Sequence, residues 1–528
     1  MKNSIGREIL IVGGLYALSR VILLQVFDFD PIELCDWRTP AKAWLVQDFF
    51  STIWYWHASP PLVPILKYVK SNSFLFMSLL HFACGLTLTA AIYFFVRSIV
   101  GLSFFGSACL ALLFMLLPTV INFELSPNYD YLTATLVTLL VTCFVKAAMG
   151  PRPWPWVCGF SAVCTILPFL QSKFHLVWVV LCLGFMLVAL GMRGEIRGPL
   201  WRYFAAVGVP TLAVAGLFVK NALVFGVLGA SSWTGLHLSL LTHDPKYVSD
   251  VAGFEDKVGS GEFSPASAVT LNYGHAFHAF GATLGYPAKS PYMAKRLSLD
   301  ERSVGEFYRG SHRFDHRSLQ EPKSCPANTQ FTEGLPNFNH VSIIPFSKDL
   351  MSDSLSIIRD DPMAYALRVS ASAFAYLFVP STERIPAVKH RDYTLEEIYE
   401  MLLFQPKAWG LASDSDPHRI EESFIDKLMS SLGDGMLIWG LIFISIHILL
   451  FLNLFNRRLG RYRLIFAFIL FNFVYLGAVV NLINGKETAR MRFYIEPLAY
   501  CMIVYFAAGA SRTRAQSIET QPQRRRSG

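Results

Sequence analysis

Residues 129–148 read Tyr-Asp-Tyr-Leu-Thr-Ala-Thr-Leu-Val-Thr-Leu-Leu-Val-Thr-Cys-Phe-Val-Lys-Ala-Ala. Between Asp130 and Lys146 no residue carries a charge, and the polar interruptions are threonines. A helix of about twenty such residues is as long as a hydrocarbon layer is thick, roughly 30 Å. Working outward, similar apolar runs fall near 8–27, 73–96, 100–120, 155–171, 174–192, 203–227, 435–456, 463–483 and 493–510. The chain has 528 residues, of which 53% are hydrophobic and only 16% charged. That balance, with charges collected between apolar runs, predicts an all-α polytopic membrane protein of about ten spans rather than several soluble domains.

The net charge of +8 is distributed in a pattern. Arg97, then Lys146 with Arg152, then Arg193, Arg197 and Arg202, then Arg457 to Arg463, and finally Arg512, Arg514 and Arg524 to Arg526 all fall in alternate connections. Cytoplasmic connections carry such an excess, which places both termini and a basic tail (512–528) inside. The loop 28–72, the turn near 121–128, the 228–434 region and the turn 484–492 then lie outside. No clustered basic-aromatic face points to nucleic acid. The first run follows Lys2 and Arg7 with no small-residue cleavage site behind it, so it reads as a retained span.

This gives an N-terminal membrane region (1–227), an extracytoplasmic domain (228–434) and C-terminal membrane helices (435–511). The 228–434 region is rich in Gly, Pro and Ser and reads as a folded domain of mixed short segments. Within it, Thr394 and Glu397 have capping-box spacing. Residues 364–379 are apolar but short and follow Asp360, Asp361 and Pro362. Counting them as a span would turn Arg457 to Arg463 outward, so they read as an interfacial or re-entrant helix. Seven cysteines sit in apolar runs, while Cys35 and Cys325 lie outside and either pair or stay as thiols. His275 with His278, and His312 with His316, have metal-like spacing without accompanying Cys or Glu motifs, and read as surface histidines.

Polar residues gather at the outer ends of the runs. Asp28, Asp30, Glu33 and Asp36 follow the first run, and Trp54, Tyr55, Trp56 and His57 lead into Ser59-Pro60-Pro61-Leu62. Carboxylates there can take a proton from an acceptor hydroxyl or bind a divalent metal. Equally, they can form a solvated acidic loop. Glu124 and Asp130 flank the next outer turn, where a carboxylate also caps a helix N-terminus. Lys173 and His175 interrupt two apolar runs, and a Lys at that depth suits a lipid phosphate or simply snorkels. Arg20, near the outer end of the first run, is placed to snorkel or to approach the same anion. Glu487, Arg490 and Arg492 crowd the last outer turn, against the positive-inside trend, so an anionic partner would explain them. A Glu487–Arg490 helix pair is the simpler alternative.

The order of these features resembles the GT-C membrane glycosyltransferases that use lipid-phosphate sugars, in particular the protein O-mannosyltransferase and lipid A aminoarabinose transferase branch. The matching stretches are Glu33-Leu-Cys-Asp36 and His57-Ala-Ser-Pro60-Pro61-Leu62, then Phe123-Glu124-Leu-Ser-Pro127-Asn-Tyr-Asp130, and Glu487-Thr-Ala-Arg490-Met-Arg492-Phe493. Asp36 stands alone before Trp37 where the family has paired acids, and two residues follow His57 before the prolines. The resemblance implies a GT-C-like helical membrane domain and an inverting sugar transfer from a polyprenyl-phosphate donor to a glycan, lipid or protein acceptor. It implies Asp36 as base assisted by Asp130, with Glu33, His57, Glu124, Lys173, His175, Glu487, Arg490 and Arg492 around the substrates. No P-loop or Gly-x-Gly-x-x-Gly stretch occurs, in keeping with a lipid-linked rather than a nucleotide donor. No Asn-x-Ser/Thr acceptor occurs either, which is compatible with a bacterial inner membrane and a periplasmic site. The competing readings are a transporter or lipid flippase, whose polar residues would sit at mid-bilayer on broken helices, and a non-catalytic scaffold.

Overall fold

The computed structural model describes residues 2–26, 49–125, 128–195, 199–243, 251–273, 276–283, 339–378, 436–456, 459–483 and 488–509, and among them no strand occurs. The helices are α1 (Lys2–Val26), α2 (Phe49–Trp54), α3 (Leu62–Asn72), α4 (Phe74–Phe95), α5 (Phe104–Met115), α6 (Pro118–Leu125) and α7 (Tyr129–Met149). Then come α8 (Trp154–Leu170), α9 (Leu176–Met192) and α10 (Trp201–Phe225), the last wound as a π turn at Phe204–Gly208. A group of shorter helices follows: α11 (Thr234–Thr242), α12 (Val251–Gly259), α13 (Pro265–Tyr273), α14 (Ala276–Thr283), α15 (Ile343–Asp360) and α16 (Pro362–Phe378). The chain closes with α17 (Met436–Leu454), α18 (Tyr462–Ile483), α19 (Thr488–Arg492) and α20 (Glu496–Gly509).

Within the described residues each apolar run is largely helical. Among the described residues four helical stretches, Leu75–Val100, Tyr129–Met149, Trp201–Phe225 and Tyr462–Ile483, are long and apolar enough to cross a membrane. A fifth forms if α5 and α6, bent by 60° at Leu116–Leu117, are taken as one span. Helices α8, α9, α20 and the Gly440–Leu454 part of α17 are apolar but shorter, so length and composition support four to five spans where ten were expected.

Helix α7 shows how such a sequence can be buried. Asn128 caps it by accepting from the Tyr129 amide at 2.8 Å. Thr133, Thr135, Thr138 and Thr142 each return their hydroxyl to the carbonyl four residues back at 2.8–2.9 Å. These four threonines therefore satisfy their own hydroxyls within the helix and leave their methyls to pack against its neighbours. Its deep contact is aromatic: Phe144 stacks on Phe468 of α18 at 4.2 Å, with Phe160 of α8 beside both.

The two ends of the bundle differ chemically. At one end Glu8 pairs with Arg97 at 3.2 Å, Lys146 lies 3.6 Å from the Phe94 ring, Arg193 donates to the Ala148 carbonyl, and Arg202 sits over Trp154. These are the basic connections of the sequence pattern, brought side by side. At the other end lies a cap of α11–α15. Its core joins Trp233, Leu236, Val269, Phe280, Phe346 and Leu350 to Ala58. Helices α11 and α15 cross at Gly235, where a Cβ would stand 1.7 Å from the Ser347 carbonyl oxygen. The mixed architecture expected of 228–434 is, among the described residues, helical throughout.

A buried polar knot pins the cap. The Ser267 hydroxyl donates to Asp353 at 2.6 Å and accepts from His243 Nε2 at 2.6 Å, while His243 Nδ1 lies 2.8 Å from the Thr242 hydroxyl. Burial and the nearby Arg368 guanidinium push His243 down to about 3, so it is neutral in the fold. Arg368, on α16, donates to the Leu241 and Thr242 carbonyls at the end of α11. From there α16 meets α17 at Gly440 and Phe443, and α18 at Gly477, Asn481 and Leu482. These contacts lie near the capped ends of α17 and α18, so α16 crosses them instead of running their length. The capping box at Thr394 and Glu397, Cys35 and Cys325, and His275, His312 and His316 lie outside the described residues.

Candidate functional site

Asp130 opens α7 at the capped end and is 0% exposed. Its Oδ1 accepts from the Tyr494 hydroxyl at 2.5 Å, and its Oδ2 accepts from Asn128 Nδ2 at 2.8 Å. Arg490 approaches the same Oδ2 through Nε at 3.5 Å. Tyr494 in turn accepts from Gln171 Nε2 at 3.2 Å, and Lys173 places Nζ 5.8 Å from the Tyr494 ring. On α3, the buried Lys67 holds Nζ 5.6 Å from the ring of Tyr129. Val63 of α3, Tyr129 and Leu170 pack together beneath. Four segments far apart in sequence thus meet here: Arg490 and Tyr494 contact the Asp130 carboxylate, while Lys173 and Lys67 lie against the rings of Tyr494 and Tyr129. Together they offer Arg and Lys donors beside a fixed negative charge, the equipment for holding a phosphate while a neighbouring acid orients the cations.

The other expected residues fall elsewhere. Glu124 is held by Arg20, which donates through Nε and Nη2 at 2.7–3.0 Å, and by the hydroxyls of Tyr16 at 2.5 Å and Tyr131 at 3.2 Å. Arg20 also donates to the Met115 carbonyl, at the α5–α6 bend. Arg20 is 6% exposed, so it neither snorkels nor faces the Asp130 cluster; it closes an internal ion pair. The knot lies directly below the cluster, since Tyr131 follows Asp130 and Phe123 stacks on Phe493 at 3.7 Å.

Arg492, 1% exposed, spends its donors on the Tyr376 and Leu377 carbonyls at the end of α16 and on Glu496, each at 2.8–2.9 Å. That commitment orients α19, which carries Arg490. His57 is buried, with Nδ1 3.0 Å from the Ser232 hydroxyl and its ring against Phe225 at 4.8 Å. Asn339 accepts from the His57 and Ala58 amides at 2.8 and 3.0 Å, so this turn is a mooring between cap and bundle. His175 stands at the N-cap position of α9 without a side-chain capping bond, its ring 4.6 Å from Phe218. Asp36, Glu33 and Glu487 lie outside the described residues.

Lys67, Asn128, Gln171 and Tyr494 are the members of the cluster that sequence reasoning did not single out. Lys67 had a faint signal, a cation among the apolar positions of α3; Tyr494 had none beyond its place after Phe493. Among the described residues no three His, Cys, Asp or Glu side chains come together to hold a metal ion. No family model, no curated protein and no solved structure matches the chain.

Proposed function

We propose that this chain is a multi-pass membrane glycosyltransferase of GT-C type that takes a sugar from a polyprenyl phosphate and passes it to an acceptor at the capped end of the bundle. The observation that carries the reading is the meeting of Asp130 with Arg490 and with Tyr494, 364 positions away, whose ring lies against Lys173. A lipid phosphate leaves readily once its charge is neutralised, so cations and alignment supply most of what the transfer needs. Asp130 already accepts from two donors and faces Arg490, which suits a carboxylate that holds the cations in place. Proton removal from the acceptor then falls to Asp36, on the connection between α1 and α2. The basic end faces the cytoplasm and the capped end the outer side, in a bacterial inner membrane the periplasm. Helix α16, which crosses the helix ends, lies at the outer leaflet.

The test is transfer from a panel of labelled polyprenyl-phosphate sugars by membranes carrying the protein. The expected outcome is transfer by the parent, a loss of about 10²–10³ in Arg490→Gln, and a loss of about 10²–10⁴ in Asp36→Asn. A parent that transfers from no donor, or folded variants that keep the full rate, overturns the reading. The 60° break between α5 and α6 beside the buried Arg20–Glu124 pair favours the transporter reading instead. Substrate flux in reconstituted vesicles, insensitive to Asp36→Asn, would select it.

A further inference from the structure

Tyr494 is buried at the centre of the cluster and is joined to three of its members by different atoms. Its hydroxyl hydrogen goes to Asp130, its hydroxyl oxygen accepts from Gln171, and its ring lies under the Lys173 ammonium. It sits in the turn between α19 and α20, four residues from Arg490 and directly after Phe493, whose ring is clamped on Phe123. The Arg490–Asp130 contact is 3.5 Å, longer than the 2.7–2.9 Å of a charge-assisted hydrogen bond, so that pair alone does not fix the carboxylate. The Tyr494 hydroxyl at 2.5 Å and Asn128 at 2.8 Å do.

We propose that Tyr494 is the positioning residue of this site, orienting the Asp130 carboxylate toward Arg490 and seating Lys173 so that both cations face one lipid phosphate. The inference rests on the polyprenyl-phosphate reading and deepens it: without the hydroxyl, Asp130 turns freely and Arg490 loses its fixed counter-charge. Among the described residues, Arg490 on α19 and Tyr494 contact Asp130, Lys173 in the α8–α9 turn lies across the Tyr494 ring, and Tyr129 precedes Asp130 on its own helix. Lys67 lies beyond Tyr129.

Tyr494→Phe keeps the ring and removes one oxygen. In the purified full chain, the carboxylate infrared band that disappears in Asp130→Asn reports the hydrogen bonds that the carboxylate accepts. It is expected to shift in frequency in Tyr494→Phe, and by less in Gln171→Met, which loosens the hydroxyl without touching Asp130. In membranes, KM for the polyprenyl-phosphate sugar rises more than kcat falls. An unshifted band in both variants overturns the proposal even if transfer is intact. Conversely, a shifted band in a protein that transfers no sugar leaves Tyr494 as the organiser of Asp130 and refutes the glycosyl-transfer reading alone.

Discussion

Gly85→Ala ought to be one of the most damaging single-methyl additions in the bundle. In an ordinary helix interior the same change stabilises by roughly 1 kcal/mol, because alanine is the better helix former. Here a Cβ on Gly85 would stand 1.8 Å from the Tyr16 hydroxyl oxygen, 2.5 Å from its Cζ and 3.0 Å from the Tyr131 hydroxyl. Tyr16 must therefore retreat by more than about 1 Å, which a close-packed interior resists. Its 2.5 Å hydrogen bond to Glu124 then breaks. Losing a hydrogen bond to a buried carboxylate costs about 1.5–3 kcal/mol, and forcing a methyl into a filled core about 1–3 kcal/mol. Those two effects together cost roughly 2.5–6 kcal/mol, and less the helix-former gain the expected net is roughly 1.5–5 kcal/mol of destabilisation. Unfolding of the detergent-solubilised protein, followed by tryptophan fluorescence, measures it. A double-mutant cycle isolates the cause: once Tyr16 is replaced by Ala, adding Gly85→Ala should cost nothing further. A single Gly85→Ala variant as stable as the parent, or strict additivity in the cycle, would refute the reasoning.

Two further outcomes concern the cap. His243 stays neutral in the fold, with its proton affinity pushed from the ordinary 6.5 down to about 3. Its contribution is therefore present above about pH 6.5 and is lost as the pH falls toward 3, because only the unfolded chain takes up the proton across that window. His243→Asn should flatten this part of the stability curve measured by chemical denaturation; an unchanged slope would show that another group is responsible. Gly235→Ala would set a methyl 1.7 Å from the Ser347 carbonyl oxygen and should unseat α11 from α15, seen as proteolysis within 228–283 at unchanged bundle helicity. Protease resistance equal to the parent's would contradict the crossing.

Apolar run length located the helices because hydrophobicity is a property of the segment, independent of partners. The Asp130–Arg490 meeting was legible for a similar reason: charges crowded at the ends of runs have few places to go. Glu124 and Arg492 were not legible as internal partners, since their neighbours, Arg20 and the α16 carbonyls, are chosen by helix rotation and crossing, which the sequence does not display. Arg20 illustrates the point. As an isolated cation in an apolar run it reads as a snorkelling side chain, yet the α5–α6 bend supplies it with Glu124 and the Met115 carbonyl. The helical cap escaped notice because glycines and prolines in 228–434 punctuate short helices as readily as they punctuate loops.

Two arginines, Arg368 within α16 and Arg492 on α19, turn α16 into a tie-bar. Arg368 fastens it to the last carbonyls of α11, and Arg492 fastens its own last carbonyls to the stretch bearing Arg490 and Tyr494. Load applied to the roof of the molecule is thereby transmitted to the floor of the site through a single stiff member. Whatever docks above the bundle is coupled to the geometry around Asp130 and Arg490, through residues that need not touch it.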